Sequence, residues 1–391
     1  MRLLFLACLS PKTGNCTTAE RIRSHVEAAG HTCELRDVSE FQSAAEVANL
    51  VAQNPPFEGA LAIHLFKAGS LLLDIQVPFG VIFGGTDINE DVKVEQKRVV
   101  MEQVLQKARF AVAFTDKMKE AAELFLLSQS CKIYVQPQGI KTEAAEKFCW
   151  AEFLKNSGVS REDVDDLNVF LLVCGLRRVK DPLYLVEAFS EWHCENPQNV
   201  LVIIGPKLSH HSINEENSGQ TVKDDTLHVS VPGHCQISQC TATWTRQFVA
   251  IIDDKIDPVL TVEVEAVAKR TAGVFLAQER SQQELHAALK RSFAVVNSSV
   301  SEGMSAAILE AMDVGVPVVA RDIPGNAAVV QNEVTGLLYS TPQEFVRQSQ
   351  RLLSDRELRE RVVRKGKLYV EEHHSLKQER ETYQRLIETL H

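Results

Sequence analysis

The feature that most constrains the fold is the stretch NSSVSEGMSAAILEAMDVGVPVVA at residues 297–320. The apolar run 293–296 before it predicts a buried strand. Residues 305–312 place apolar side chains at helical spacing, Gly315 ends this helix, and residues 317–320 predict a second buried strand. A strand, a loop, a helix and a second strand form the unit from which parallel sheets are built. The sequence therefore predicts an α/β fold.

The start of the predicted helix is suited to binding an anion. The backbone amides of Gly303, Met304 and Ser305 have no acceptor within the helix, and the helix dipole favours negative charge there. Glu302 precedes this end, and Glu310 lies eight residues on, roughly 12 Å along the axis at about 1.5 Å per residue. A diphosphate on the amides would then have one carboxylate beside a hexose and the other beside a ribose. For either glutamate taken alone, the alternative is a solvated residue on the helix surface.

The segment EGMSAAILEAMDVGVPVVA resembles the E-x7-E signature of group 1 glycosyltransferases, which belong to the retaining glycosyltransferase family 4 and share the GT-B fold. The resemblance implies two doubly wound, Rossmann-like domains that face a central cleft, and a C-terminal helix that crosses back to the first domain. It implies transfer of a sugar, with retention, from a nucleotide-sugar cosubstrate to an unidentified acceptor. Glu302 would then hold the hexose in catalysis, and Glu310 would bind the ribose.

Length, charge and cysteine content exclude several classes of protein. A chain of 391 residues is expected to form two domains. Its 52 acidic and 42 basic residues give a net charge of −10 without a basic stripe, which argues against nucleic acid as a partner. No apolar stretch reaches the length of a membrane span. The nine cysteines are scattered, which favours reduced thiols over a disulfide framework or a zinc site.

The first residues allow two interpretations. Residues 3–9 predict the first strand of a sheet, although Arg2 and the short apolar run also resemble a signal peptide. The run is at the short limit for such a peptide, and Pro11 and Lys12 interrupt it. We therefore expect a cytoplasmic protein. Secretion is the alternative, if residues 1–15 act as a signal.

Residues 1–160 are predicted to form the first domain, because strands and helices alternate along them. The family resemblance implies that this domain holds the acceptor. Ligands bind such sheets at the carboxyl ends of the strands. The polar residues and glycines expected there, and hence in the cleft, are Gly14, Asn15, His64, Thr86, Asp87 and Gln138. The segments GGTDIN and QGI resemble segments of the family. The alternatives are a structural histidine for His64 and a capped turn for Thr86 and Asp87. Thr17 and Glu20 predict a capping box for the first helix.

Residues 165–372 are predicted to form the donor domain. Arg177 and Lys180 follow a predicted strand, and a helix is expected to begin at Asp181. Two cations on such a loop would grip a departing diphosphate, so that no metal is required. The resemblance implies a basic pair here, but the family spacing G-R-L-x3-K leaves the choice between Arg177 and Arg178 open. A solvated turn is the alternative.

Two further parts of this half follow from the resemblance. Gly325 and Asn326 lie where the family has a glycine-rich turn beside the donor. Residues 373–391 predict an amphipathic helix, which is expected to pack on the first domain.

Residues 208–256 break the pattern of the second half. They have no sustained periodicity, and a loop of this length is improbable inside a compact domain. We interpret them as an irregular insertion, of the kind that alternative splicing would add, and expect it to be mobile or poorly packed. Regular order is predicted to resume with a helix at Asp257. The segment contains His210, His211, His228, His234, Cys235 and Cys240. Their spacing matches no recognised metal site.

Two other classes of function were weighed against a transferase. A pseudoenzyme would bind a nucleotide sugar without turnover, and the insertion would be the cause if it disrupted the donor domain. A dinucleotide-dependent oxidoreductase is disfavoured, because both relevant strand-to-helix turns lack G-x-G-x-x-G. The oligomeric state and the acceptor are left open.

Overall fold

The structure is a computed structural model that describes residues 1–10, 14–126, 132–160, 163–205 and 257–391. The predicted insertion at 208–256, with its histidines and cysteines, lies outside these residues. The strands are β1 (Arg2–Ala7), β2 (Thr32–Asp37), β3 (Gly59–Ile63), β4 (Phe79–Ile82), β5 (Phe110–Ala113), β6 (Ile133–Val135), β7 (Asn168–Val173), β8 (Asn199–Ile204), β9 (Val274–Ala277), β10 (Ala294–Asn297), β11 (Val318–Arg321) and β12 (Leu337–Tyr339).

The described strands form two six-stranded sheets. The first has the order β2-β1-β3-β4-β5-β6, and the second has the order β12-β11-β10-β7-β8-β9. All neighbouring strands are parallel. Parallel strands covered by helices on both faces need continuous apolar sequences. The strand β1 illustrates this, because Leu3 to Ala7 are completely buried.

Helices connect the strands and cover both sheets. They are α1 (Gly14–Glu27), α2 (Ala44–Val51), α3 (Gly85–Asn89), α4 (Glu95–Lys107), α5 (Asp116–Phe125), α6 (Trp150–Asn156), α7 (Val186–Glu195), α8 (Pro258–Arg270), α9 (Gln282–Arg291), α10 (Ala306–Val314), α11 (Pro324–Ala327), α12 (Pro342–Ser354), α13 (Arg356–His373) and α14 (Leu376–Glu388). The central unit is present as β10, α10 and β11, and Gly315 ends α10 with a left-handed φ of 78°.

Several predicted helix ends are confirmed and two are wrong. Asp257 caps α8, and a capping box at Ser281 opens α9. The predicted capping box at Thr17 is wrong, because α1 already begins at Gly14 and Thr17 lies inside its first turn. Asp181 does not start a helix either. It has a left-handed φ of 45° after the 3₁₀ turn Arg178–Lys180, and its carboxylate accepts from Arg321 at 2.9 Å instead of capping backbone amides.

Aromatic side chains fill the core of the second sheet on one face. Phe170 on β7 lies 5.6 Å from Phe189, 5.4 Å from Trp192, 5.2 Å from Phe293 and 6.1 Å from Phe345, measured between ring centroids. All five are buried, and edge-on or tilted rings add to the stabilisation from buried area. This packing holds β7 and β10 side by side, which places the loops that follow them next to each other.

The connection between the two sheets runs from β6 to α6. The helix α6 packs against β9 of the second sheet, although the sequence placed residues up to 160 in the first domain. The connecting residues dock on the second sheet's helices: the Thr142 hydroxyl donates to Asp313 at 2.6 Å, and the Ala145 amide donates to the Gln283 carbonyl at 2.9 Å.

The C-terminal helix crosses back to the first sheet, as predicted. It packs against α1, and Glu379 in its first turn is completely buried. One carboxylate oxygen of Glu379 accepts from Arg21 Nε at 2.9 Å and lies 2.9 Å from His25 Nε2, while the other accepts from Arg21 Nη2 at 3.2 Å. Burial alone would raise the pKa of Glu379, but His25 and Arg21 outweigh it and hold the pKa below its usual value.

Two further expectations concern membranes and cysteines. Within the described part of the chain, no helix is both long enough and apolar enough to cross a bilayer. Six cysteines lie in that part, and none of the six is in a disulfide: Cys8, Cys16, Cys33, Cys149, Cys174 and Cys194.

Candidate functional site

A cavity of about 860 Å³ lies where the carboxyl ends of the two sheets face each other. Parallel sheets present their connecting loops at this edge, which is where such folds bind ligands. Twelve of the fifteen predicted site residues line the cavity: Gly14, Asn15, His64, Thr86, Gln138, Arg177, Lys180, Glu302, Gly303, Met304, Ser305 and Glu310. The fold therefore brings together, around one cavity, predicted site residues that are far apart in the sequence.

Three predicted site residues do not line the cavity. Asp87 is completely buried beneath it, because its carboxylate accepts from the amides of Leu65 at 2.9 Å and Gly84 at 2.8 Å. Asn326 is also completely buried. Gly325 lies behind the Glu302 carbonyl oxygen, with which an added Cβ would collide. These residues support the walls of the cavity and do not form them.

The centre of the cavity is an ion pair between Lys180 and Glu302. The ammonium nitrogen of Lys180 lies 2.6 Å from Glu302 Oε1, and their side chains are 17% and 7% exposed. Ser299 Oγ and Asn297 Nδ2 donate to the same oxygen at 2.8 and 3.1 Å. Burial alone would raise the pKa of Glu302, but Lys180 and these two donors outweigh it and lower the pKa. Glu302 is therefore an ionised carboxylate whose Oε1 already accepts from Lys180, Ser299 and Asn297.

The loops that carry this pair are joined by backbone and side-chain hydrogen bonds. The Ser298 hydroxyl donates to the Lys180 carbonyl at 2.9 Å, and the Val300 amide donates to the Val179 carbonyl at 2.9 Å. Arg321 at the end of β11 donates to Asp181 at 2.9 Å. Because each loop is held by the other, the position of the Lys180 ammonium relative to Glu302 is fixed by the fold.

A buried polar network supports the same loop from below. Asn297 Oδ1 accepts from Asn326 Nδ2 at 2.9 Å and from the Ser299 amide at 3.1 Å, and its carbonyl accepts from the Tyr339 hydroxyl at 2.9 Å. Asn326 also donates to the Arg321 carbonyl at 2.9 Å. Asn326 thus acts through Asn297, which in turn holds Glu302.

The first turn of α10 forms the wall next to the ion pair. Gly303, Met304, Ser305, Ala306 and Ala307 all line the cavity. Ser305 is the N-cap residue, and its side chain does not cap the helix amides. The helix end therefore presents its partial positive charge to the cavity, beside the Lys180 ammonium.

Glu310 lies further along the same wall and is held by two residues of α9. Gln282 Nε2 donates to Glu310 Oε1 at 2.7 Å, and His286 Nε2 lies 3.7 Å from the same oxygen. His286 is buried, and its other ring nitrogen accepts from the Glu143 amide at 3.0 Å. Burial lowers the pKa of His286, but Glu310 outweighs this and raises it. A chain of contacts therefore runs from Glu310 to the connection between the sheets.

The structure distinguishes the two candidate arginines. Arg177 lines the cavity. Arg178 points away from it: its side chain is 67% exposed and pairs with Asp257 at 3.1 Å. The geometry thus selects Arg177 as the second cation of the site.

His64 organises the opposite wall. It has a left-handed φ of 75°, a conformation that costs energy in a non-glycine residue and is concentrated at functional sites. Its ring lies against Gly84, where an added Cβ would overlap the imidazole. Asn15 Nδ2 lies 3.1 Å from His64 Nε2, and Thr86 Oγ1 lies 3.2 Å from His64 Nδ1. His64 thus orients two polar groups of the cavity wall.

Several cavity residues were missed by the sequence analysis. Arg21, Arg280, Gln282 and His286 all line the cavity. The i, i+4 spacing of Gln282 and His286 on a capped helix was the available signal for that pair. Arg21 had no local signal, because its position depends on Glu379.

Among residues 1–10, 14–126, 132–160, 163–205 and 257–391, no group of three histidine, cysteine, aspartate or glutamate side chains is arranged to hold an ion. Among the described residues, the cationic side chains that line the cavity are Arg21, Lys141, Arg177, Lys180 and Arg280, and the end of α10 adds its partial positive charge.

Comparison with known structures defines the class. HepE from Anabaena, solved with UDP and glucose, superposes with a TM-score of 0.68 at 13% identity and 99% coverage of both chains. Sucrose-phosphate synthase from Thermosynechococcus elongatus gives a TM-score of 0.68 at 12% identity, covering 100% of this chain and 99% of that one. Two parallel sheets that face a shared cavity, in the arrangement of these two structures, form the GT-B fold.

Sequence comparison defines the family within that class. Residues 264–369 match the profile of the family described as "Glycosyl transferases group 1". A relative in Xenopus tropicalis, "Glycosyltransferase 1 domain-containing protein 1", is 48% identical over 387 residues, which cover 99% of this chain and 97% of the relative. The chain belongs to the group 1 glycosyltransferases.

Proposed function

We propose that the chain transfers a sugar from a nucleotide-sugar donor to an acceptor, with retention of anomeric configuration and without a metal ion. The observation that carries this proposal is the Lys180–Glu302 ion pair directly beside the exposed end of α10. Fixed positive charge next to an ionised carboxylate suits a ligand that has both a diphosphate and a hydroxyl-bearing ring.

The donor is placed along the wall formed by α10. The diphosphate lies on the amides of Gly303 to Ser305, within reach of Lys180 and Arg177. The contacts on Glu302 fall on Oε1, so among the described residues Oε2 is the oxygen available to a hexose hydroxyl. Glu310 accepts from the ribose hydroxyls. The acceptor enters from the wall that contains Asn15, His64, Thr86 and Gln138.

The chemical work of the site is to stabilise the leaving group. The bond between the sugar anomeric carbon and the diphosphate oxygen breaks, and negative charge accumulates on the departing diphosphate. Lys180, Arg177 and the helix amides are already directed at that charge, so they need little rearrangement in the transition state. The acceptor hydroxyl forms the new glycosidic bond, and its proton passes to the departing diphosphate oxygen. The same fixed cations supply the charge that a metal ion would otherwise provide.

A ligand panel tests this proposal. UDP, GDP, ADP and their glucose conjugates are added separately, and the melting temperature of the full chain is measured, since a ligand that binds the folded form raises it. HepE was solved with UDP, so UDP and UDP-glucose are the first probes. The donor that stabilises the chain is then tested for transfer with EDTA present, and the product configuration is read by NMR. Inversion at the anomeric carbon, or dependence on metal, would contradict that part of the proposal.

The same panel separates an enzyme from a pseudoenzyme. Stabilisation by a nucleotide sugar, without hydrolysis or transfer, would indicate a binding protein. Stabilisation by none of the ligands would contradict donor binding altogether.

We also propose that the protein is cytoplasmic, and fractionation of cells that express the full chain tests this location.

Replacing Glu310 by glutamine is expected to weaken binding of the donor nucleotide. The amide keeps the size of the side chain but loses the charge that accepts from ribose hydroxyls. A hydrogen bond to a charged group contributes about 1.5–3 kcal/mol, so the UDP dissociation constant should rise by roughly 10- to 100-fold. Calorimetric titration with UDP measures this change.

The control for this variant is Glu371→Gln, which changes an exposed glutamate on α13. It removes the same charge from a residue that does not line the cavity, so the variant should bind UDP as the unaltered chain does. If Glu310→Gln and Glu371→Gln had equal affinities, the assignment of the ribose to Glu310 would be refuted.

A further inference from the structure

We propose that helix α3 of the first domain is the stop that ends closure of the two domains, and that Asn89 on this helix positions the Glu302 loop. This inference rests on the proposed function, because it concerns how the site of transfer is assembled. It assigns a role to contacts between the sheets that the donor motif alone does not explain.

The first observation is a direct backbone contact between two glycines. A Cβ added to Gly85 would lie 2.7 Å from the Gly303 nitrogen and 2.9 Å from its Cα. Conversely, a Cβ added to Gly303 would lie 2.7 Å from the Gly85 Cα and 3.2 Å from Met118 Cε. Real Cβ atoms do not approach backbone atoms this closely, so the domains can come this near only because both residues lack a side chain.

The second observation is a hydrogen bond across the same boundary. Asn89, at the end of α3, donates from Nδ2 to the Glu302 carbonyl oxygen at 3.2 Å. The same carbonyl also packs against Gly325, where an added Cβ would lie 2.0 Å from its oxygen. The peptide group of Glu302 is thus held between Asn89 of the first domain and Gly325 of the second.

The helix α3 is itself rigidly mounted. Asp87 in its middle is completely buried and accepts from the amides of Leu65, Phe66 and Gly84 at 2.9, 3.2 and 2.8 Å. A carboxylate with three backbone donors fixes the helix to the ends of β3 and β4. The position of Asp87 outside the cavity is therefore explained: it anchors the element that contacts the donor loop.

These contacts imply an order in which the donor binds first and the domains close afterwards. The donor-binding groups Lys180, Glu302 and Glu310 all lie on the second domain, so the donor can bind before closure. When the domains close, α3 meets Gly303, and Asn89 takes the carbonyl of Glu302. That peptide precedes the amides of α10 and carries the carboxylate that pairs with Lys180. Closure therefore fixes the Glu302 loop at the same time as it brings the first-domain wall, with Asn15, His64 and Thr86, next to the donor.

The first test uses the unliganded chain, so it does not depend on which donor is correct. In Gly85→Ala the added methyl group blocks the contact with Gly303, and the domains should stay further apart. Small-angle X-ray scattering should show a radius of gyration larger by about 1 Å, against roughly 21 Å for a compact chain of this length. The control is Gly14→Ala, whose added Cβ lies in the same cavity wall but has no atom of the described residues within 4 Å. Equal radii for Gly85→Ala and the unaltered chain would overturn the closure stop.

The second test separates positioning from binding. Asn89→Ala should lower kcat by about 3- to 10-fold, the value of one ordinary hydrogen bond, while the dissociation constant of UDP changes less than twofold. Asn89→Asp should lower kcat further, because a carboxylate cannot donate to the Glu302 carbonyl. Asn156→Ala, an exposed asparagine at the end of α6, is the control. Unchanged kcat in both Asn89 variants would overturn the positioning role. Loss of UDP binding in them would do the same, since it would place Asn89 in the donor site.

Discussion

Replacing Lys180 by methionine is expected to lower kcat by about 100- to 1,000-fold, the usual effect of removing one group that stabilises transition-state charge. Methionine keeps the apolar part of the side chain, so the change is mainly one of charge. The departing diphosphate loses the Lys180 ammonium group, while Arg177 and the α10 amides remain. A steady-state transfer assay with the donor found in the ligand panel measures the loss.

The same substitution should also reduce stability. Lys180 and Glu302 are largely buried, and removing one partner of a buried pair leaves a charge without compensation, at a cost of about 3 kcal/mol or more. The sign of the pH effect follows from Glu302, whose folded pKa is lowered. Its contribution is present above the unfolded pKa and is lost as the pH falls through the folded pKa. Without Lys180 this contribution should largely disappear.

A double variant distinguishes the two effects. Adding Glu302→Gln to Lys180→Met removes both charges, so urea denaturation should show that much of the lost stability returns. Activity should not return, because the cation at the diphosphate is still absent. Lys290→Met, an exposed lysine in the last turn of α9, is the control for an ordinary lost charge. Full activity in Lys180→Met would refute the role of this residue in transfer.

Local spacing explains which parts of the site were predictable. Glu302 and Glu310 belong to one loop and one helix, so their separation follows from helix geometry alone. Lys180 could be placed at the cleft because its loop follows a strand of a parallel sheet. The ion pair between Lys180 and Glu302 could not be predicted from spacing, because 122 positions separate the two residues.

The direction of a side chain in a loop was not predictable. Asp87 and Asn326 are polar and follow buried strands, and the same pattern would fit cavity residues. The Asp87 carboxylate turns inward because it accepts a hydrogen bond from the buried Leu65 amide. The Asn326 side-chain amide turns inward because it donates to the Arg321 carbonyl. Asn89, in contrast, points toward the other domain, where its side-chain amide donates to the Glu302 carbonyl. The alternation of strands and helices predicted the sheets themselves, because most strands contain a continuous apolar run, although the edge strand β2 (TCELRD) does not.

Replacing Glu379 by glutamine should destabilise the chain by roughly 3–5 kcal/mol, as expected when a buried charge network loses one partner. The amide cannot neutralise Arg21, which donates to Glu379 through two nitrogens, and it disturbs the contact with His25. The loss should extend to the cavity. The Gly139 backbone helps to hold Glu379, and Gly139 and Arg21 both line the cavity.

Denaturation by urea as a function of pH tests this prediction and its sign. Because the folded pKa of Glu379 is lowered, its stabilising effect is full above the ordinary carboxyl range and declines as the pH falls through the folded pKa. The unaltered chain should therefore lose stability in acid more steeply than Glu379→Gln does. Glu381→Gln is the matched control on the same helix, because Glu381 is 62% exposed and its pair with Lys377 is worth at most about 1 kcal/mol. If both variants unfolded at the same urea concentration, the crossing helix would be held by its apolar face, with Tyr383, Leu386 and Ile387, and not by the buried carboxylate.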